Sequence, residues 1–541
     1  MVRRDPTDNY IYAAWKKCDD FFQQNTMYTD TKKCVRFYEG DQWFDENQKD
    51  WKKLPTYNFI QPIVDYKVAM VAKNTMVINY SPLNVESYDV MKQACDYLNA
   101  YAKEVWEEKK MDTLMWDLVK KGAITGESFL YFGTDDLTPQ LIDRTNLFLA
   151  DEQEENIQAQ PFIIIRERRF VEDVRKDAKA AGLEEKYIPL IQKDDPENQV
   201  NNENNEVKAG DGKVTCFVYL RKNEDGNVTF ARATEAVVYQ QEVVIEGLQR
   251  YPVAAFVWKR KYNSARGCGE VYRLIPNQIV TNRLLLRREV NNKQTGYARP
   301  VYHKDYIGNP ESLDVVGAKI EVDGGALVQD VAKAFTYIQP APMSADGAAL
   351  QNEIIELTRN LCNASDAATG NIDPEQASGK AINLVIDQNA VLLNEPHAMF
   401  KQLVEDTALI WYDYWRIYNP NGLEMAWTTE DGRMTGTIDA ATLEALDIRV
   451  RVDVSSNNPW SVYANDQEAM NLFGNGYVDF AQYVSLLSDQ NHMKPKLEQI
   501  VKERQAAEQM QMMQQQMMQP QMQANPMAAL MGGGNNVMPG M

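Results

Sequence analysis

Apolar side chains recur at intervals of three and four through much of this chain, and at intervals of two in a smaller set of segments. Together the two periods predict a mixed α+β protein. Residues 1–109 read as mostly helical. Ile63, Val64, Val68, Met70 and Val71 keep a helical spacing behind Pro62, a favoured first-turn residue. Residues 112–121 are amphipathic, with Leu114, Met115, Leu118 and Val119 on one side, and Gly122 and Gly126 are expected to interrupt them. Strands are predicted at 128–132, at 162–165 (ending in the basic run RERR), at 214–220 and at 228–233. The NEDG at 223–226 gives a hairpin turn between the last two. Residues 243–258 continue the β pattern. The polar, acidic stretch 193–213 has almost no apolar anchor and reads as a surface insertion.

The second half changes character. Gly267 and Gly269 break the chain, and Pro276 is expected to open a helix running to about residue 292. Ile279, Val280, Leu284, Leu286 and Val290 supply its apolar surface, and Arg283, Arg287 and Arg288 its charge. Short strands and turns follow between 297 and 339, with strands expected at 299–302 and 318–322, and then a helix over 348–361. A loop of small residues occupies 363–378. The longest helical pattern runs over 379–416, about 55 Å at about 1.5 Å per residue, and Pro396 inside it predicts a kink. Ile448, Val450 and Val452 alternate as a strand, and helices are predicted again over 465–509. The tail 510–541 is rich in Gln and Met, then Gly, and cannot build a core, so its end is expected to be disordered.

Charge and rare residues narrow the chemistry. Lys and Arg number 57 against 77 Asp and Glu, a net charge of −20, which argues against a protein that coats DNA by neutralising phosphates. The six cysteines are far apart with no C-x-x-C pair, and read as free thiols in a reducing compartment. The three histidines, His303, His397 and His492, are as scattered, so no metal site is expected. The N-terminus has no apolar signal core, and no apolar run is long enough to cross a bilayer. Gly379-Lys380 does not complete a phosphate loop: eight residues separate Gly370 from Gly379, and Ala381 stands where a hydroxyl is required. The signatures GxSxG and HExxH and those of kinases are absent, and the acidic DEQEE at 151–155 reads as a solvated face. No catalytic residue and no cofactor are expected.

The order of elements, together with FYEGDQW at 37–43, YNFIQP at 57–62, GEVYRLIPNQ at 269–278 and ASGKA at 377–381, resembles the portal (head–tail connector) proteins of tailed double-stranded DNA bacteriophages. The resemblance implies a ring, usually of about twelve copies, around a central channel. It divides the chain into a wing (1–272), a first stem helix (273–292), a clip (293–341), a second stem helix (342–362) and a tunnel loop (363–378). A long kinked wing helix with following strands (379–464), a helical crown (465–509) and the tail (510–541) complete it. It implies an α+β portal architecture at a capsid vertex of the virion, assembled in the host cytoplasm. Double-stranded DNA would pass without sequence reading, and the partners would be the large terminase, the major capsid and scaffolding proteins, and neck adaptors, with no membrane. Arg283, Arg287, Arg288, Arg359 and Lys380 are the resulting candidates for guiding DNA, with ion pairing between subunits or a solvated helix face as the alternative use of the four arginines. Asn363, Ser365, Asp366, Thr369, Asn371 and Ile372 are the candidates for the tunnel loop. Two other classes stay open: a phage nuclease or packaging ATPase, and a capsid or scaffold component without a channel.

Overall fold

A computed structural model describes residues 5–43, 54–73, 75–83, 88–133, 137–194, 212–296, 299–302, 304, 307–315, 317–319, 321, 335–338, 346–362, 393–429, 432–455, 469–487, 493, 494 and 496–504. The chain divides into two units, Met1–Ala72 with Met76–Val454, and Lys73–Thr75 with Ser455–Met541.

Alternation in the first unit builds its largest sheet. Strands β4 (Leu147–Leu149), β5 (Phe162–Phe170), β6 (Lys213–Lys222), β7 (Val228–Thr234) and β8 (Val238–Val244) form an antiparallel meander, with Ile165 opposite Val218 and Tyr219 opposite Ala231. Ile164, Phe217, Tyr219 and Ala231 point to one face. There they pack on Ile11, Phe22 and Met27 from helices α1 (Tyr10–Gln24) and α2 (Met27–Glu39). Ile163, Ile165, Val218 and Leu220 point to the other face, into a second cluster with Phe129 and Tyr251. The strand at 162 runs on through the basic RERR segment because those charges are satisfied internally. Arg166 is buried and donates to the Thr145 carbonyl at 2.8 Å, Arg168 lies 3.4 Å from Asp194, and Arg169 lies 2.7 Å from Asp177.

The main core is helical. Helices α3 (Ile60–Ala72), α4 (Tyr88–Glu108) and α5 (Met111–Thr125) pack with the three-stranded sheet β3 (Pro139–Asp143), β2 (Glu127–Phe132), β9 (Val253–Val257). All six residues of β2 are buried. Gly122 does not interrupt α5. It lies within the helix because the Phe256 ring presses on it: a Cβ there would meet Cδ1 at 2.5 Å. Gly126, at φ +120, does end the helix. A strand inside the first helical stretch, β1 (Thr75–Pro82), pairs with β14 (Ile448–Ser455). Its alternation, Met76, Ile78 and Tyr80 inward, is short and was hidden between two helical patterns.

The long helical pattern resolves into a helix whose described part is Asn394–Tyr418 (α9, after α6 at Val171–Ala180, α7 at Glu270–Gly296 and α8 at Asp346–Leu361). Pro396 is its third residue, where a missing N–H costs no helical hydrogen bond, so the expected mid-helix kink is not found there. Residues 379–392 lie outside the described residues. Phe400, Leu403, Val404, Trp411, Tyr414 and Trp415 of α9 are buried in the main core. The antiparallel pair β10 (Arg299–Tyr302) with β11 (Phe335–Ile338) and the hairpin β12 (Leu423–Thr429) with β13 (Gly432–Ile438) complete the strands, and α10 (Ala440–Ala445) precedes β14. The strand expected at 318–322 is not formed at 318, 319 or 321. Instead, the Asn309 side chain donates to the Lys319 carbonyl and accepts from the Glu321 N–H.

In the second unit the described residues are helical at 469–474, in α11 (Phe480–Leu486) and at 496–504. Asp479 and Gln482 form a capping box, Phe473, Phe480 and Tyr483 cluster, and the Arg504 guanidinium lies over the Phe480 ring. The cysteines are all free. Cys34, Cys95 and Cys216 are buried, and burial raises their thiol pKa values. Among the described residues no helix is long and apolar enough to cross a membrane.

Two stability measurements check this packing. Gly122→Ala gains helix propensity but drives a methyl into Phe256, and the clash wins: unfolding in urea should show a loss of about 1–3 kcal/mol. Asp406 of α9 lines a cavity of about 330 Å³ with Met399, Gln402 and Glu155. Burial pushes its carboxyl up to about 6, Arg250 opposing and Glu405 adding. An unfolded aspartate ionises near 3.8, so above pH 6 the folded state holds a charge at a cost, and below about pH 4 both states are neutral. Asp406→Asn should therefore stabilise the protein at pH 8 by about 1–3 kcal/mol, with the gain vanishing toward pH 4.

Candidate assembly surface on a two-helix hairpin

Helix α7 leaves the body through a crowded joint. The backbone at Gly267 and Gly269 lies so close to Gly126 and Ile124 that a Cβ at either would sit 2.4 Å from a carbonyl oxygen. Arg266, fully buried, is held by Glu152 at 2.7 Å and lies 3.6 Å from Glu127. The Glu127 carboxylate also accepts the Gly267 N–H at 2.8 Å. Glu270, the first residue of α7, meets the buried Lys67 ammonium at 2.6 Å and Lys259 at 3.7 Å, and accepts from the Trp258 indole at 3.2 Å. Burial pushes the Glu270 carboxyl up, but the Lys67 and Lys259 charges pull harder, and it ends below its ordinary value. A carboxylate at the first turn also suits the positive end of the helix. The helix therefore starts at Glu270, six residues before Pro276, which it carries inside.

The next two turns of α7 are fastened by amides. Gln278 is wholly buried. Its carbonyl accepts the Phe59 N–H at 3.2 Å, and its amide donates to the Tyr57 carbonyl at 2.7 Å and to Asn282 at 3.0 Å. Asn282 donates to Gln42 at 2.6 Å, and Gln42 donates to the Phe37 carbonyl at 2.9 Å and to Asn58 at 3.0 Å. Three of the four segments that carry the family resemblance, 37–43, 57–62 and 269–278, thus meet in one buried network. Nothing in their spacing announces it, since the α7 residues lie more than two hundred residues from their partners in the other two segments.

Past Asn282 the helix emerges from the body and pairs with α8. Asn277 donates to Thr358 at 2.9 Å and Arg288 to Gln351 at 2.9 Å, so the two helices run antiparallel. Their outward sides are left open. On α7, Val280, Arg283, Arg287 and Val290 recur at intervals of three and four and are all exposed; on α8, Leu350, Leu357 and Leu361 form a matching exposed row, Leu361 at 77%.

The candidate residues fall out as follows. Arg283 and Arg287 are exposed on the open side. Arg288 is half-buried between the helices, committed to Gln351. Arg359 is half-buried on α8. Lys380, Asn363, Ser365, Asp366, Thr369, Asn371 and Ile372 lie outside the described residues, as does the rest of 363–378. Among the described residues no group of three or more His, Cys, Asp or Glu side chains could hold a metal ion. His397 is half-buried, and burial holds its imidazole below the usual value.

No family model matches this chain, and no curated protein matches it. Among solved structures the chain is similar to one described as the neck of an empty GTA particle computed with C6 symmetry. Its TM-score is 0.35 and its identity 9%, and the match covers 79% of this chain and 88% of that one.

The amide network makes a sharp expectation. Gln278→Met keeps the volume but leaves the Tyr57 carbonyl and the Phe59 N–H unpaired in the interior. It should cost about 1–3 kcal/mol in urea unfolding. Gln278→Glu should cost more than Gln278→Met, because it adds a buried charge.

Proposed function

We propose that this chain is the subunit of a portal: a ring of roughly twelve copies at one capsid vertex, through which double-stranded DNA enters and leaves the head. The observation that carries the reading is the α7–α8 hairpin. It is fastened to the body at one end by buried ion pairs and amides, and it holds out a row of exposed Val and Leu side chains along its length. A helix face of that kind, projected on a rigid base, is built to be covered by protein. The ordered set of segments that resembles portal proteins says which assembly would cover it, and three of those segments are the ones that fix the hairpin's base.

In this reading the hairpin is the stem. The segment between its helices, which carries β10 and β11, is the clip that meets the terminase motor and later the neck proteins. Residues 363–378 form the tunnel loop facing DNA. The protein works by shape and position, carries out no chemistry of its own, and leaves nucleotide hydrolysis to the motor. Electron microscopy of the purified protein tests it. Annular particles with a central hole are expected. Discrete particles without a hole, or monomer at every concentration, would remove the portal reading.

A further inference from the structure

The outward faces of the two hairpin helices carry opposite charge. Arg283 and Arg287 stand on the open side of α7, and Glu353 and Glu356 stand exposed on α8. At about 100° per residue, Glu353 and Glu356 lie on the side of α8 turned away from Gln351 and Thr358, the residues that face α7. The two acids therefore point away from the two arginines of their own hairpin. None of the four has an ion pair or hydrogen bond among the described residues. Most other basic groups near the body's core are committed internally, Arg266 to Glu152 and Lys67 to Glu270 among them.

We infer that Arg283 and Arg287 of one copy pair with Glu353 and Glu356 of the next, so that the hairpin is a head-to-tail adhesive between copies of this chain. The inference rests on the ring reading above and gives it a polarity. A surface that carries its basic row and its acidic row on different sides cannot satisfy both by a two-fold contact of one side with itself. A two-fold contact would set arginine against arginine. A repeated head-to-tail contact joins basic to acidic at every step and closes into a ring if the rotation allows. The apolar rows fit the same contact: Val280 and Val290 flank the arginines, and Leu357 lies beside Glu356 in sequence, so covering the charges covers apolar surface as well. Partial desolvation by those neighbours strengthens the charge pairing relative to open water. This use and DNA guidance exclude each other at these two positions, since an arginine held by a neighbour's carboxylate is not available to a passing phosphate.

The test is charge reversal read by native mass spectrometry and sedimentation over a range of protein concentrations. Four forms are compared: the full-length wild type, Arg283→Glu/Arg287→Glu, Glu353→Lys/Glu356→Lys, and the variant with all four changes. All four positions are exposed, and thermal melts should confirm that each monomer folds as the wild type does. Each double variant should need a concentration about tenfold higher or more to assemble. The fourfold variant, whose charges are exchanged, should return toward wild type, and so should an equal mixture of the two double variants. Double variants that assemble as well as wild type would overturn the pairing while leaving the ring intact, and so would a fourfold variant that does not recover. A wild type that stays monomeric would instead remove the ring reading, and this inference with it.

Discussion

The hairpin depends on a knot of buried side-chain amides. Gln42, Asn58, Gln278 and Asn282 satisfy one another and the backbone around Phe37 and Tyr57–Phe59, with only Asn58 partly exposed. Amides in such a network have few acceptable arrangements. Each donor and acceptor must be matched, and a slip of α7 along or around its axis would strand several of them at once. Apolar packing alone would tolerate small slips. The network therefore fixes the direction in which α7 leaves the body, and the exposed row from Val280 to Val290 inherits that direction.

The ion pairs at the start of α7 act on the same joint by a different rule. A buried Lys67–Glu270 pair adds little net stability over an apolar pair of the same shape, because desolvation offsets the attraction. What it does is make every misplacement costly, since either charge alone in that interior would be far from a partner. Gly267 and Gly269 serve the joint sterically, allowing the chain to cross the C-terminal end of α5 and Gly126 at backbone contact. Charge, amide matching and close approach thus converge on about sixteen residues, from 267 to 282.

How much of this was written in the sequence can be judged residue by residue. The short apolar runs at 162–165 and 214–220 were legible as strands, because burial on both sides leaves such a run, while the assignment of Ile163, Ile164 and Ile165 to two faces came from the packing. The paired helices were legible from their spacing. Their bounds were not: Pro276 was read as a start, yet the ion pairs of Glu270 extend the helix upstream, and a tertiary contact of that kind has no local signature. Pro396 was read as a kink for the same reason: periodicity shows an apolar face but not where a helix begins. The sequence marked the segments around Gln42, Tyr57 and Gln278 as belonging together only through a family resemblance. Their physical meeting needed the fold. Which of the arginines are open could not be read at all, since Arg288 and Arg287 are adjacent and only the packing of α8 separates their roles.

The distribution of basic groups gives the net charge of −20 its meaning. Acid excess is a property of the whole surface, and it disfavours lasting attachment to a polyanion. Yet the chain holds 57 basic residues, and among the described ones Lys67, Arg144, Arg166 and Arg266 are buried where no phosphate can reach. Arg144, Arg166 and Arg266 are buried against carboxylates, carbonyls or aromatic rings. Such a residue adds to the formal charge without adding to the surface field in the way an exposed one does. Buried acids accompany them, Asp19, Glu127, Glu270 and Asp413, so burial leaves the acid excess on the outside, and an exposed basic row on α7, with no ion pair among the described residues, stands against that background. A row of this kind in an acidic protein has two physical uses, to meet a polyanion or to meet the protein's own acidic surface. The exposed acids of α8, carried on the same rigid hairpin and turned the other way, supply the second partner at the same height and in every copy.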